Sequence, residues 1–286
     1  MLRVCVAALL FVVVAAHTIP DEPLSQHVAF IKFFKVGGTS VADTLGRLAV
    51  RDGRKICCGQ TGCDMCYTHD TLNAWKKHGR RAFPHNTTLV TLLRHPVERE
   101  ISRYYYDRAR GERKANVEGL GVWSLGVRNQ YAQVLGGGNA ERTIEVLDNH
   151  FTLVGVTERM HEFVVALGLT LRQAPASMAY GHLKRMVGRP TQEQVSEQAL
   201  RNLYARLEPD IRIYNHSLAA FQLTWDSVWP EDVRQEYSTL LDEARPNITC
   251  HFGAYNGAPK LVGNDCIRAP VVNKMSHRTI SDHRVL

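Results

Sequence analysis

Three short apolar runs, each passing straight into a turn and then into a segment of helical spacing, constrain this chain more than any other feature. The first is His27-Val-Ala-Phe-Ile-Lys-Phe-Phe34, which enters Lys35-Val36-Gly37-Gly38-Thr39-Ser40 and then a stretch with Val41, Leu45 and Leu48 at helical intervals. The second is Thr88-Leu-Val-Thr-Leu-Leu93, followed by Arg94-His95-Pro96 and a helical pattern through Val97, Ile101 and Tyr104–Tyr105. The third is His150-Phe-Thr-Leu-Val-Gly155, leading into a pattern with Met160, Phe163, Val164 and Leu167. Buried strands that each feed a helix predict an α/β fold, a P-loop-like parallel sheet with helices on both faces. In such sheets ligands bind at the carboxyl ends of the strands, where these turns lie. Thr191 to Phe221 reads as further helix, with Val195, Leu200, Leu203 and Leu207 on one side, and Cys250 to Leu286 reads as loop-rich and basic.

The 286 residues suit one large domain, taken as 27–286, and 44% hydrophobic with 22% charged residues excludes a fibrous or wholly disordered chain. The formal charge of +7, from 35 Lys and Arg against 28 Asp and Glu, favours anionic partners. Arg3 precedes the apolar run Val4–Ala16, which ends in the small residues Val14-Ala15-Ala16. A membrane span needs about 17–25 residues, so residues 1–16 read as a signal peptide, with a short signal anchor as the alternative. Export agrees with the sequons Asn86-Thr87-Thr88, Asn215-His216-Ser217 and Asn247-Ile248-Thr249, and it argues against nucleic acid as a partner. Beyond Cys5 in the leader stand Cys57, Cys58, Cys63, Cys66, Cys250 and Cys266, an even number suited to disulfides in an oxidising lumen. Cys250 and Cys266 flank a Gly-rich loop and are expected to pair, which makes the C-terminal segment disulfide-bearing. For the cluster Cys57 to Cys66 zinc is the alternative to disulfides, but no closely spaced His completes a knuckle, and the expectation is no metal.

The turn Lys35-x-Gly37-Gly38-Thr39-Ser40 has the composition of an anion cradle. Paired glycines let backbone N–H groups approach an anion, and the helix that follows adds its N-terminal donors. Lys35 can reach the anion, and the Thr39 and Ser40 hydroxyls can donate to it. A Walker A loop places its Lys after the glycines, whereas here it comes first, which disfavours ordinary ATPase or GTPase chemistry. In the second turn Pro96 starts a helix, leaving Arg94 at the strand end and Ser102 two turns along. An Arg fork and a hydroxyl suit a second phosphate.

This pair of motifs resembles the 5′-phosphosulfate loop and 3′-phosphate motif of the Golgi carbohydrate sulfotransferases, nearest to heparan sulfate 2-O-sulfotransferase and the galactose 3-O-sulfotransferases. The residues that carry the likeness are Phe34-Lys-Val-Gly-Gly-Thr-Ser40 and Arg94-His-Pro-Val-Glu-Arg-Glu-Ile-Ser-Arg-Tyr104. Asn129-Gln-Tyr-Ala-Gln-Val-Leu-Gly136, Val154-Gly-Val-Thr-Glu-Arg159 and Asp210-Ile-Arg-Ile-Tyr214 follow in the family's order. The likeness spans about Val28 to Phe221. Val36 and His95 depart from it, the first standing where the family has a hydroxyl residue and the second where it has an acidic or amide residue.

The resemblance implies transfer of a sulfuryl group from 3′-phosphoadenosine 5′-phosphosulfate (PAPS) to a carbohydrate hydroxyl, without a metal, in the Golgi lumen or after secretion, with membrane contact only through the N-terminal segment. It implies PAPS contacts from Lys35, Gly37, Gly38, Thr39, Ser40, Arg94 and Ser102, with Lys35 also catalytic. Transfer needs a base for the acceptor hydroxyl. Among the histidines between the two motifs, His69 in Cys66-Tyr-Thr-His-Asp-Thr71 is the candidate, ahead of His78 and His85. The basic run Lys76-Lys-His-Gly-Arg-Arg81 could grip an acidic glycan or simply be solvated surface. The competing readings are a secreted glycan-binding or inactive relative of the same fold, and a P-loop-like metabolite kinase.

Overall fold

The computed structural model describes residues 27–55, 64–67, 70–110, 117–181 and 194–245. It is an α/β protein whose four strands, β1 (Val28–Ile31), β2 (Met65–Cys66), β3 (Thr88–Leu93) and β4 (Leu153–Val156), form one sheet in the order β2-β1-β3-β4. All three pairings are parallel. Every residue of β1 and β3 is buried. That is why these strands read as unbroken apolar runs instead of alternating ones: parallel strands are covered on both faces. The first strand is shorter than the sequence suggests, because after Ile31 the backbone N–H of Lys32 turns to the Thr71 hydroxyl at 3.1 Å. The third extends one residue further, to Val156.

The helices are α1 (Gly38–Arg51), α2 (Asp70–His78), α3 (Pro96–Arg110), α4 (Val117–Ser124), α5 (Gln130–Gly136), α6 (Ala140–His150), α7 (Met160–Leu171), α8 (Pro175–Met178), α9 (Glu197–Arg206), α10 (Glu208–Val228) and α11 (Glu231–Ala244). One group packs α5 against α2, α6 and α10, and another packs α8 against α1, α7 and α11. From β1 the chain steps one way to β2, and from β2 and β3 it steps the other way. Right-handed crossovers therefore put the two groups on opposite faces. The expected helix from Thr191 to Phe221 is two helices, parted at Leu207, with Pro209 in the first turn of α10 where its missing N–H costs nothing. A smaller core joins α3, α4 and α9 through Val97, Ile101, Tyr104, Leu120, Ala199 and Leu203.

The reversal of direction between β1 and β3 makes their carboxyl ends the topological switch point of the sheet. The register carries this further. Ile31 pairs with Thr91, and Leu93 pairs with Val156. Leu93 ends β3 and Val156 ends β4, so Arg94 and Thr157 leave the two strands side by side. No helix among the described residues is long and apolar enough to cross a membrane. The leader and the segment from Cys250 onward lie outside the described residues, as do His69 and all the cysteines but one; Cys66 is half of a disulfide.

Candidate functional site

The turn after β1 is held in a conformation that few sequences accept. Lys35 and Gly37 have φ of 63° and 75°, both left-handed. The φ of Gly37 favours glycine, and an added Cβ would also come within 2.6 Å of the terminal methyl of Met160, which would have to shift. Helix α1 begins at the next residue, with no side chain among those described capping it. The amides of Gly38 and Thr39 are thus left as donors, at the positive end of the helix. Thr39 is half-exposed beside them. Ser40 is used differently: its hydroxyl donates to the Gly181 carbonyl at 2.6 Å and its N–H to Gly37 at 3.1 Å. In this arrangement the Ser40 hydroxyl ties the start of α1 to the segment at Gly181.

Arg94 stands at the end of β3, as the pattern predicts. One Nη donates to the Lys35 carbonyl at 3.4 Å and the other to Glu98 at 3.4 Å. The Lys35 ammonium lies 3.7 Å from the centroid of the Tyr106 ring. Glu98, Ser102 and Tyr106 follow at intervals of four along α3 and share one face. Because Arg94 touches the first and Lys35 the last, that stripe runs alongside the loop, with Ser102 between its ends. Lys35, Arg94 and Ser102 are therefore brought together around the switch point.

Three residues to which sequence reasoning gave no role hold this geometry. The Thr157 hydroxyl lies 2.6 Å from the Val36 carbonyl and 2.9 Å from that of Leu93, so its one proton ties the loop to the strand end. The Tyr131 hydroxyl accepts from the Arg94 N–H at 2.9 Å and donates to the Arg94 carbonyl at 2.9 Å. Burial pushes this phenol up to about 12, so it keeps its proton. Asp210, fully buried, accepts the Tyr131 and Ala132 amides at 3.1 and 2.9 Å and so caps α5 from a distance. It also pairs with buried Arg99 at 3.3 Å, whose guanidinium stacks on the Tyr131 ring at 4.4 Å. Burial drives the Asp210 carboxyl up, while Arg99 and the two amides pull it down.

His95 donates its backbone N–H to Glu158 at 3.0 Å, and its half-buried ring meets the edge of Tyr214 with centroids 5.3 Å apart. Burial lowers its pKa, against the pull of Glu158 and Glu98. Glu158 also takes the Tyr214 hydroxyl, whose pKa rises through burial and that carboxylate.

The basic run lies elsewhere. Helix α2 starts beside the end of β1, through the Thr71 contact, and finishes before the chain enters β3 at Thr88. It therefore runs against the strands, and exposed Lys76, Lys77 and Arg81 sit at the opposite end of the sheet from the Lys35 loop. Arg80 is committed to structure, donating to the carbonyls of Phe83, Pro84 and His85 at 3.0, 2.9 and 2.6 Å. Among the described residues no group of three His, Cys, Asp or Glu side chains could hold a metal ion. A scan against protein-family models matches no family, and a search of curated proteins finds no relative.

Proposed function

We propose that the chain is a PAPS-dependent O-sulfotransferase of the secretory pathway, acting on a carbohydrate hydroxyl from a P-loop-like sheet. The observation that carries the reading is the direct contact between the two anion-suited turns, with the Arg94 guanidinium on the Lys35 carbonyl at 3.4 Å. Two adjacent sets of phosphate donors suit a nucleotide whose phosphates hang from two different positions of one ribose. A single polyphosphate chain would not need the second set.

In the reaction the acceptor oxygen bonds to sulfur while the bond from sulfur to the bridging phosphate oxygen breaks, leaving negative charge on the phosphate. Lys35 and the amides of Gly38 and Thr39 are the groups suited to that charge. The acceptor proton needs a base, and His69 remains the candidate. Arg94, with the Ser102 hydroxyl, is proposed for the 3′-phosphate.

Calorimetry with 3′-phosphoadenosine 5′-phosphate (PAP), the desulfated product, tests the assignment. PAP should bind about ten- to a hundredfold tighter than adenosine 5′-phosphate, the worth of one charge-assisted contact. Equal affinities would refute the role of Arg94, and no binding of either would remove both motifs from the site.

A further inference from the structure

Three tyrosines follow one another in α3, and they part company. Tyr104 and Tyr105 are 1% and 7% exposed and pack into the small core with α4 and α9. Tyr106, about 100° further round the helix, stays half-buried and turns to the Lys35 loop. A lysine side chain has four rotatable bonds, and the loop's backbone fixes only where it starts. An ammonium 3.7 Å from a ring centroid is at full cation–π contact. That contact uses the face of the ring and leaves N–H groups of the ammonium able to donate to an anion.

We infer that Tyr106 is a positioning residue, a ring platform that holds the Lys35 ammonium beside the phosphate loop so that little rotamer freedom is lost when the anion arrives. The inference rests on the PAPS reading above and deepens it. The contact also links the loop to the helix that carries Ser102, so the ring couples the two halves of the nucleotide site.

The test replaces Tyr106 with phenylalanine and with mono-, di- and trifluorophenylalanine, which keep the shape of the ring while draining charge from its face. PAP affinity is read by calorimetry on the full chain. Phenylalanine should bind PAP within about twofold of wild type, with affinity then falling step by step. The trifluoro ring and Tyr106→Leu should be about three- to thirtyfold weaker, the range expected for one such contact. A flat series with PAP still bound would overturn the inference, and so would tighter binding, since the ring would then be holding the lysine away. A second arm needs no nucleotide. In reductively ¹³C-methylated protein the Lys35 N-methyl resonance should lie upfield in the ring current and move back in Tyr106→Leu, whereas an unshifted resonance in wild type would remove the contact. Failure of wild type to bind PAP would instead count against the sulfotransferase reading, with the resonance still deciding whether the platform exists.

Discussion

Replacing Asp210 with asparagine should destabilise this protein far more than its isosteric shape suggests. The carboxylate is fully buried, accepts two amides at 2.9 and 3.1 Å, and faces Arg99, itself 1% exposed, at 3.3 Å. The amide keeps one acceptor oxygen but loses the charge, and it points an NH₂ at a group that also donates. Breaking a buried ion pair by removing one charge costs about 3–5 kcal/mol, and because Arg99 keeps the buried Glu100 carboxylate at 3.1 Å the loss here lies at the low end of that range. A lost hydrogen bond would add about 1–3 kcal/mol, but the two effects share atoms and do not sum, so about 4 kcal/mol is a fair centre. With an m-value of about 3 kcal/mol/M, the urea midpoint should fall by about 1.3 M. The control is Glu141→Gln, which breaks a fully exposed pair with Arg212 and should leave the midpoint where it was. PAP affinity should fall alongside in Asp210→Asn, since the carboxylate holds Tyr131 and Tyr131 holds Arg94. A midpoint shift under about 0.3 M would refute the argument, by showing that Glu100 alone compensates Arg99.

Thr157→Val keeps shape and removes the proton shared by the Val36 and Leu93 carbonyls. It should cost about 1–2 kcal/mol in urea unfolding and weaken PAP, and an unchanged PAP affinity would mean the loop holds itself. Tyr131→Phe unties both backbone groups of Arg94 and should lower the preference for PAP over adenosine 5′-phosphate by about three- to tenfold; a preserved ratio would separate Tyr131 from the 3′-phosphate. Burial lowers the pKa of His95 and of His161, the latter helped by Arg245 against Asp242. The native state therefore resists protons that the unfolded state accepts near 6.5, so both histidines should make stability fall as pH drops below about 6.5 and leave it flat above about 7.5. Urea midpoints of wild type and a His95→Asn, His161→Asn double variant at pH 7.5 and 5.0 check this, and equal pH slopes would remove both groups from the account.

What could be read from the sequence was local. Strands β1, β3 and β4 announce themselves because burial on both faces demands uninterrupted apolar residues. Strand β2 is only Met65–Cys66 and makes no run, so the cysteine cluster around it reads as chemistry instead of as a sheet edge. The break between α9 and α10 was legible in Pro209, yet the apolar periodicity of Leu200, Leu203 and Leu207 carries the eye across it. Helix α11 buries little beyond Tyr237 and Leu241, too thin a stripe to stand out. At the site, Lys35, Gly37 and Arg94 follow from strand, turn and helix within a few residues. Ser40 shows the limit of such reading. A hydroxyl after a glycine pair suggests an anion donor, while its bond to the Gly181 carbonyl, 141 residues away, is something no local pattern shows. The supporting contacts are longer in sequence than any motif: Thr157 reaches back 121 residues to Val36 and Asp210 reaches 78 to Ala132.

Those long contacts explain why five separated segments have to occur together. An anion cradle made of main-chain N–H groups works only while its backbone stays in a conformation that costs free energy, and a non-glycine residue at φ 63° such as Lys35 pays about 1 kcal/mol for it. The strain persists because the two carbonyls that follow are fixed by other elements. Arg94 takes that of Lys35, and Thr157 takes that of Val36. Arg94 is in turn held at its backbone by Tyr131, and Tyr131 by Asp210 and Arg99. Each holder comes from the end of a different strand or helix, so the loop's shape is set by the sheet and its flanking helices before any anion arrives. For the proposed nucleotide, a loop fixed in this way would lose little binding energy to ordering, which would leave that energy for discriminating between a ribose with one phosphate and a ribose with two.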